Sequence, residues 1–406
     1  MAVGWRSCPV GADSSVHVHQ RNQGLGTDTP PVPPMTLRVL VVGASTSRVC
    51  GVRDHAQILS GGLAEVGFDP VVEWGDFSSQ PAAAEVDAWL RRVEARVQRE
   101  RPDIILFHYS VFTLAWRGIP VHALTVTHRL AHLGLPVVIL LHEYAYPWGR
   151  SGWRGVAWAT TQRLALWLVV SRAAALIVTT PQRAEWIASR HWLPRRPVAV
   201  APVFSNLPPA QPLHTSTRAG IRVGLFGYGH EAAPLPMLLG ALSALRQTTP
   251  EARLLLLGAP GPDSASGRHV LALARQRGLA DVLDFTGVLS AQDLSDALAS
   301  CDILLFVDSD GPSSRKGTLA ASLASGRPVV ALDGPNTWRD LVRGQAIALV
   351  RPTAAALAAT VGQLLADRSA ADALGSRGRA FADGNMSVGR AAASVLSVVS
   401  EIVAVS

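Results

Sequence analysis

The chain is almost without lysine: of its 37 basic residues Lys316 is the one lysine, which leaves 36 arginines. Alanine, valine, leucine, glycine and arginine dominate, the imprint of a GC-rich genome on codon choice, so the arginine excess alone names no partner. Cysteine is scarce as well. Cys8, Cys50 and Cys301 form neither a metal spacing nor an even-numbered framework, which excludes a disulfide-stapled secreted scaffold and points to a reduced, cytoplasmic protein. No apolar run reaches the ~20 residues that cross a bilayer; LALWLVVS is closed off by Arg163 and Arg172. Nucleic-acid motifs and basic low-complexity arms are missing too, so the net charge of +7 is assigned to a polyanionic small ligand or an anionic membrane surface, with no nucleic acid as partner.

What is present is length and a repeating apolar pattern. At 406 residues the chain suits two domains of common size. The first 34 residues end in TDTPPVPP without an apolar signal core and read as a disordered extension, or as the product of an upstream start with Met35 the alternative. From residue 35 to 202 short branched runs alternate with helical stretches: strands are expected at 37–43, 69–74, 103–109, 135–141, 175–180 and 197–202. A proline-rich stretch, 203–220, reads as a linker. The pattern restarts over 221–385, with strands at 221–229, 252–261, 282–287, 302–307 and 327–333, and a helix follows over 386–406. Strands alternating with crossover helices make an α/β protein of two Rossmann-like, doubly wound parallel sheets facing a cleft, where ligands bind at the strands' carboxyl ends.

The lone lysine stands in DGPSSRKGTLAASLASGRPVV, residues 310–330. A buried strand precedes this loop, and Leu319 and Leu323 mark a helix that Gly326 ends before the next strand. Arg315, Lys316, Gly317 and Thr318 therefore open a helix at a strand's carboxyl end, where backbone N–H groups and the helix dipole attract anions. Hydroxyls of Ser313, Ser314 and Thr318 sharpen the site, and a bidentate arginine beside a point-charge lysine suits a diphosphate better than a solvated basic pair.

That stretch, with CDILLFVDSDGP before it and GLADVLDFTGVLSAQDLSDALASCD upstream, closely resembles the retaining GT-B glycosyltransferases of the family 4, group 1 type. CGVRDHAQILSGGLAEVG, residues 50–67, resembles that family's opening helix, and VVILLHEY its strand ending in histidine. The family usually carries two glutamates eight positions apart, one holding the donor sugar and one the ribose; here Ser313 and Ala321 stand in those places. The chain resembles instead a branch with a G-x-S-x-R-[RK]-G-[ST] loop. The family's Arg and Lys near the start of the second domain are also missing, since GLFGYGHEAAPLPM offers only His230.

The resemblance implies a hexosyltransferase-like enzyme that moves sugar from a nucleotide-diphosphate donor to a glycan or lipid-linked acceptor, with retention, in cell-envelope or exopolysaccharide synthesis. It implies no cofactor and no metal site, Arg315 and Lys316 acting as the diphosphate cations; DSD at 308–310 is taken as loop chemistry. A non-catalytic sugar-nucleotide-binding or scaffold protein of the same fold is the alternative. Catalytic roles fall to His142, Arg315 and Lys316, donor contacts to Gly227, Tyr228, Gly229, His230, Ser313, Ser314, Gly317 and Thr318, and acceptor contacts to Gly43, Gly51, Asp54 and Glu143.

Residues 145–200 hold six of the eleven tryptophans together with eight arginines and one acid, Glu185. Tryptophan with arginine on helices suits the membrane interface and a peripheral place on its inner face. The competing reading is ordinary helix packing with solvated arginines.

Overall fold

The computed structural model describes residues 36–47, 50–149, 152–211, 220–227, 234–258 and 261–403. The first sheet is built from β1 (Leu37–Ser45), β2 (Phe68–Asp76), β3 (Ile104–Ser110), β4 (Val137–Glu143), β5 (Ala175–Val178) and β6 (Val198–Val200). Between them run α1 (Gly51–Glu65), α2 (Ala83–Glu100), α3 (Ala123–Ala131), α4 (Gly152–Arg172) and α5 (Pro181–Ala188). The strands are parallel in the order β2-β1-β3-β4-β5-β6.

The second sheet contains β7 (Ile221–Phe226), β8 (Ala252–Leu257), β9 (Leu283–Phe285), β10 (Ile303–Phe306), β11 (Val329–Leu332) and β12 (Ala348–Val350). Its helices are α6 (Leu235–Arg246), α7 (Ala265–Arg275), α8 (Ala291–Ala299), α9 (Gly317–Ala324), α10 (Arg339–Arg343), α11 (Ala354–Ala366) and α12 (Arg368–Asn385). Strand order is β12-β11-β10-β7-β8-β9, again parallel. The architecture is the expected one of two parallel α/β sheets. β12 is an addition: its three residues are too short and too little buried to stand out as a strand run.

Alternation within each strand feeds two apolar layers. Leu40 and Val42 of β1 enter the layer under α2 and α4, while Val39 and Val41 face α1. The second sheet is likewise sandwiched between two apolar layers. α13 (Val388–Val403) leaves α12 and crosses to the first sheet, where Ala391, Ala392, Val395, Val398 and Val399 bury against Leu59, Leu63 and Ile177. Burying a valine side chain contributes at least about 1.5 kcal/mol, so this helix fastens the two α/β bodies by apolar packing. Its Ser394 hydroxyl adds a hydrogen bond to Val200 O at 3.1 Å.

The proline-rich connection is packed where it is described. Phe204 is buried in the first body's apolar layer, Val203 N donates to Ser314 O at 2.7 Å, and Ser295 Oγ donates to Pro208 O at 2.6 Å. These bonds hold the carboxyl edges of the two sheets in a fixed relation.

Candidate functional site

Each sheet reverses its winding at one place. In the first, β1 leads to β2 on one side and lies beside β3 on the other; in the second, β7 leads to β8 and lies beside β10. Open α/β sheets bind ligands at the strand ends flanking such a reversal.

At the second reversal Asp308 follows β10, buried, and Lys316 caps α9. The Lys316 ammonium lies 2.6 Å from Asp308 Oδ2. The DSD carboxylate read as loop chemistry is therefore the lysine's partner. The first bonds of α9 run from Leu319 N and Ala320 N to Lys316 O, so the N–H groups of Gly317 and Thr318 lie ahead of them. Gly227 ends β7 at φ +82°, and a β-carbon there would stand 3.0 Å from Thr318 Cγ2. Its neighbours Tyr228, Gly229 and His230 lie outside the described residues.

Arg315 points the other way, across the cleft. Its Nη1 donates to Glu143 Oε1 at 2.9 Å, and Arg183 Nη2 donates to Glu143 Oε2 at 3.1 Å. One carboxylate thus bridges an arginine from each body. A cavity of about 530 Å³ opens on one side of this bridge, with Tyr144, Arg183, Ser313 and Asn336 among its walls. A second, of about 330 Å³, opens on the other, with Gly51, His55, Ser110, His142 and Gly317. Glu143 and Arg315 line both.

Behind His142 the first body assembles a cluster. A register shift between Tyr109 and Ser110 brings Ser110 opposite Glu143. His108 on β3 and His142 on β4 stack, His108 Nδ1 lying 3.0 Å from His142 Nε2. His55 of α1 meets both edge-on and stacks on Phe204 at 4.4 Å. Burial drives the His55 pKa down to about 4. It also holds His108 and His142 well below the usual imidazole value, with the neighbouring imidazoles adding to the effect and Arg183 acting on His142 as well. All three are thus neutral near pH 7, and His142 acts there as a hydrogen-bonding group rather than a cation. His55 Nδ1 and His108 Nε2 are buried without a partner. Ligand nitrogens of the three lie within 4.8 Å of one another, which among the described residues gives a set able to hold a metal ion. Neutral imidazoles are the donor chemistry of zinc-like ions, yet the His108–His142 hydrogen bond already engages two of the nitrogens.

The structure brings His142, Glu143, Gly51, Arg315 and Gly317 to one cavity, and Ser313 to the other. It parts the other described candidates from that company. Gly43 lies within β1 opposite Trp74, where a β-carbon would stand 2.3 Å from the indole, so packing explains this glycine without any substrate. Asp54 is exposed on α1, and Arg53 pairs with Asp76 rather than with it. Ser314 is buried, its hydroxyl donating to Thr179 O at 2.7 Å across the cleft. Lys316 and Thr318 border a smaller recess of about 20 Å³ beside Gly227.

Sequence reasoning did not single out Arg183, His55, His108 or the role of Asp308. Arg183 carried a signal: TTPQR is an N-cap, proline and first turn directly after a strand, and Thr180 Oγ1 does accept from Arg183 N at 3.1 Å. Its guanidinium also donates to His142 O at 2.5 Å, fixing the end of β4.

Residues 221–367 match a family model described as Glycosyl transferases group 1. No curated protein matches the chain. Among solved structures, it is similar to a sucrose-phosphate synthase from Thermosynechococcus elongatus, at 15% identity and TM-score 0.64, covering 91% of this chain and 100% of that one. A glycosyltransferase from Rickettsia africae is similar at 12% identity and TM-score 0.68, covering 91% and 99%. A UDP-GlcNAc 2-epimerase from Neisseria meningitidis bound to UDP-GlcNAc follows the same fold at 11% identity and TM-score 0.57, covering 90% and 100%.

Proposed function

We propose that this chain, a group 1 glycosyltransferase of two-sheet GT-B architecture, takes its sugar from a nucleotide-diphosphate donor seated at the start of α9 and passes it to a glycan or lipid-linked acceptor held by the first body. The observation that carries this reading is the meeting of two cavities at the Glu143–Arg315 bridge, beside a helix N-terminus that bears the adjacent cations Arg315 and Lys316. The Neisseria epimerase, bound to UDP-GlcNAc, supports a nucleotide-sugar pocket in this fold.

In this reading the diphosphate replaces carboxylate oxygens as partner to Arg315 and Lys316, and the Gly317 and Thr318 N–H groups complete its cradle. The bond from anomeric carbon to phosphate oxygen breaks with its electron pair on the phosphate, the acceptor oxygen bonds the anomeric carbon, and the hydroxyl proton passes to the departing phosphate oxygen. Fixed cations and N–H dipoles lower that barrier because they meet charge where it develops. His142, neutral, hydrogen-bonds the sugar. Glu143 keeps free lone pairs for an acceptor hydroxyl after accepting from two arginines. Retention of configuration and a role in envelope or exopolysaccharide synthesis follow the family resemblance.

Calorimetric titration with UDP, GDP, ADP and dTDP tests the donor site. One nucleotide binds selectively, and Arg315→Ala weakens it by about 1.5 to 3 kcal/mol. Failure of all four to bind overturns the donor site. Binding with no hydrolysis or transfer of the matching nucleotide sugar moves the protein to the non-catalytic alternative.

A further inference from the structure

α4 is dressed the wrong way round for a helix that faces water. Its inner side, with Ala159, Leu166 and Val169, packs in the first body's core. Charged and polar side chains ordinarily occupy the opposite side. Here that side presents Trp153, Val156, Leu164 and Trp167, spaced at helical repeats, exposed by 77%, 52%, 60% and 42%. Thr160 is the one polar member of the stripe.

The segment before α3 extends the surface. Trp158 Nε1 donates to Arg117 O at 2.8 Å and Gln162 Nε2 to Gly118 O at 2.9 Å, so this segment lies against α4. It too exposes large apolar groups, Phe112 and Trp116, and the first turn of α3 adds Leu124. Cations accompany the aromatics: Arg117 lies 4.7 Å over the Trp116 ring and Arg154 5.7 Å over that of Trp153. Negative charge is missing. Between residues 104 and 184 the sequence holds one acid, Glu143, and that carboxylate is engaged by Arg183 and Arg315 in the cleft.

We propose that the outer stripe of α4 and the adjoining 112–124 segment seat the first body on an anionic lipid bilayer. Exposed tryptophans settle at the headgroup level, and arginines beside them meet lipid phosphates. A second copy of the chain fits the face less well, because a self-complementary contact would bring arginines against arginines with no acid between them. None of the described helices is long and apolar enough to cross a membrane, so the contact is lateral. The surface stands independently of the donor site. It deepens the proposed function only by favouring a lipid-linked acceptor.

Flotation of the full chain with vesicles is the test. Binding is expected to vesicles of phosphatidylcholine with phosphatidylglycerol, and to fall at least about tenfold on phosphatidylcholine alone or in about 0.5 M salt. Trp153→Ser/Leu164→Ser/Trp167→Ser and, separately, Arg117→Glu/Arg154→Glu are expected to lose it by a similar factor while nucleotide titration is unchanged. Equal binding to neutral vesicles, no binding at low salt, or full binding by both variants overturns the proposal. Concentration-dependent dimerisation abolished by the triple variant, without vesicle binding, assigns the face to a second copy and overturns it as well. Because nucleotide binding is read in the same samples, failure of this inference is distinguishable from failure of the donor site.

Discussion

At its winding reversal the first sheet ends in imidazoles that burial keeps neutral, whereas the second ends in a lysine held 2.6 Å from an aspartate. The backbone plan is shared, and both reversals border the same cleft. The chemistry differs because the proposed ligands differ. A departing diphosphate needs fixed positive charge, which the second body supplies at the start of a helix. A sugar and an acceptor hydroxyl need neutral hydrogen-bonding groups, and the cation that the first body does bring to this edge, Arg183, is tied to Glu143 and to the His142 carbonyl. Desolvation does this work in the first body without any counter-charge.

The lysine pair offers the largest test of the contrast. Replacing Lys316 by Met leaves the buried Asp308 carboxylate without a counter-charge and with the Asp310 N–H as its hydrogen-bond donor, a loss expected near 3 kcal/mol in urea unfolding. Adding Asp308→Leu should recover most of that stability, because two apolar groups can substitute for the pair, but not nucleotide affinity. Recovery of both would show that the pair serves the fold alone.

The imidazole cluster predicts the opposite kind of dependence, on pH. Unfolded His55 titrates near 6.5 and folded His55 only near 4. Between those values the unfolded chain holds more protons, so stability is full above the upper value and falls as pH drops through the lower one. For His55 alone the loss is on the order of 3 kcal/mol once pH is below both, so about 2 kcal/mol of it should already appear at pH 5. Unfolding at about pH 7 and 5 should show it, and His55→Leu should reduce the difference by about that amount. An unchanged difference in the variant would mean that the buried imidazole titrates normally.

Two glycines at the strand ends carry the comparison into packing. Gly43→Ala drives a methyl group toward the Trp74 indole and should cost about 2 kcal/mol, relieved by Trp74→Leu. Gly227→Ala meets a positive φ and one threonine methyl, about 1 kcal/mol of stability, while nucleotide binding should suffer more because the end of β7 borders the lysine. If Gly43→Ala impairs transfer without lowering stability, the acceptor assignment first given to that residue would stand after all.

How far these features could be read beforehand follows from their physics. Most strands carry apolar runs such as LRVLVV and ILLF whose character is visible in one dimension, and their crossover helices imply parallel pairing; the short β6 is among the expected strands, whereas β12, three residues with only Val350 buried, is not. The loop around Arg315 and Lys316 was legible because helix start, cations and small residues are contiguous. The histidine cluster was not, since His55, His108 and His142 come from a helix and two strands and stand far apart in the sequence. Nor was the outer stripe of α4 legible: nearly every turn of that helix is apolar, so only packing decides which side faces out.

The smallest effect concerns the residue where the two halves meet. Glu143 is partly exposed, so Glu143→Gln should change stability by less than about 1 kcal/mol despite the loss of two ion pairs. Nucleotide affinity should instead rise severalfold, because Arg315 no longer shares its charge with a carboxylate, and transfer to the acceptor should fall. The sign of the affinity change is what matters. A rise places Glu143 as a competitor of the diphosphate that holds Arg315 in reserve until the donor arrives. A fall would mean that the bridge itself builds the nucleotide pocket, and the neutral character of the first body's edge would end at His142.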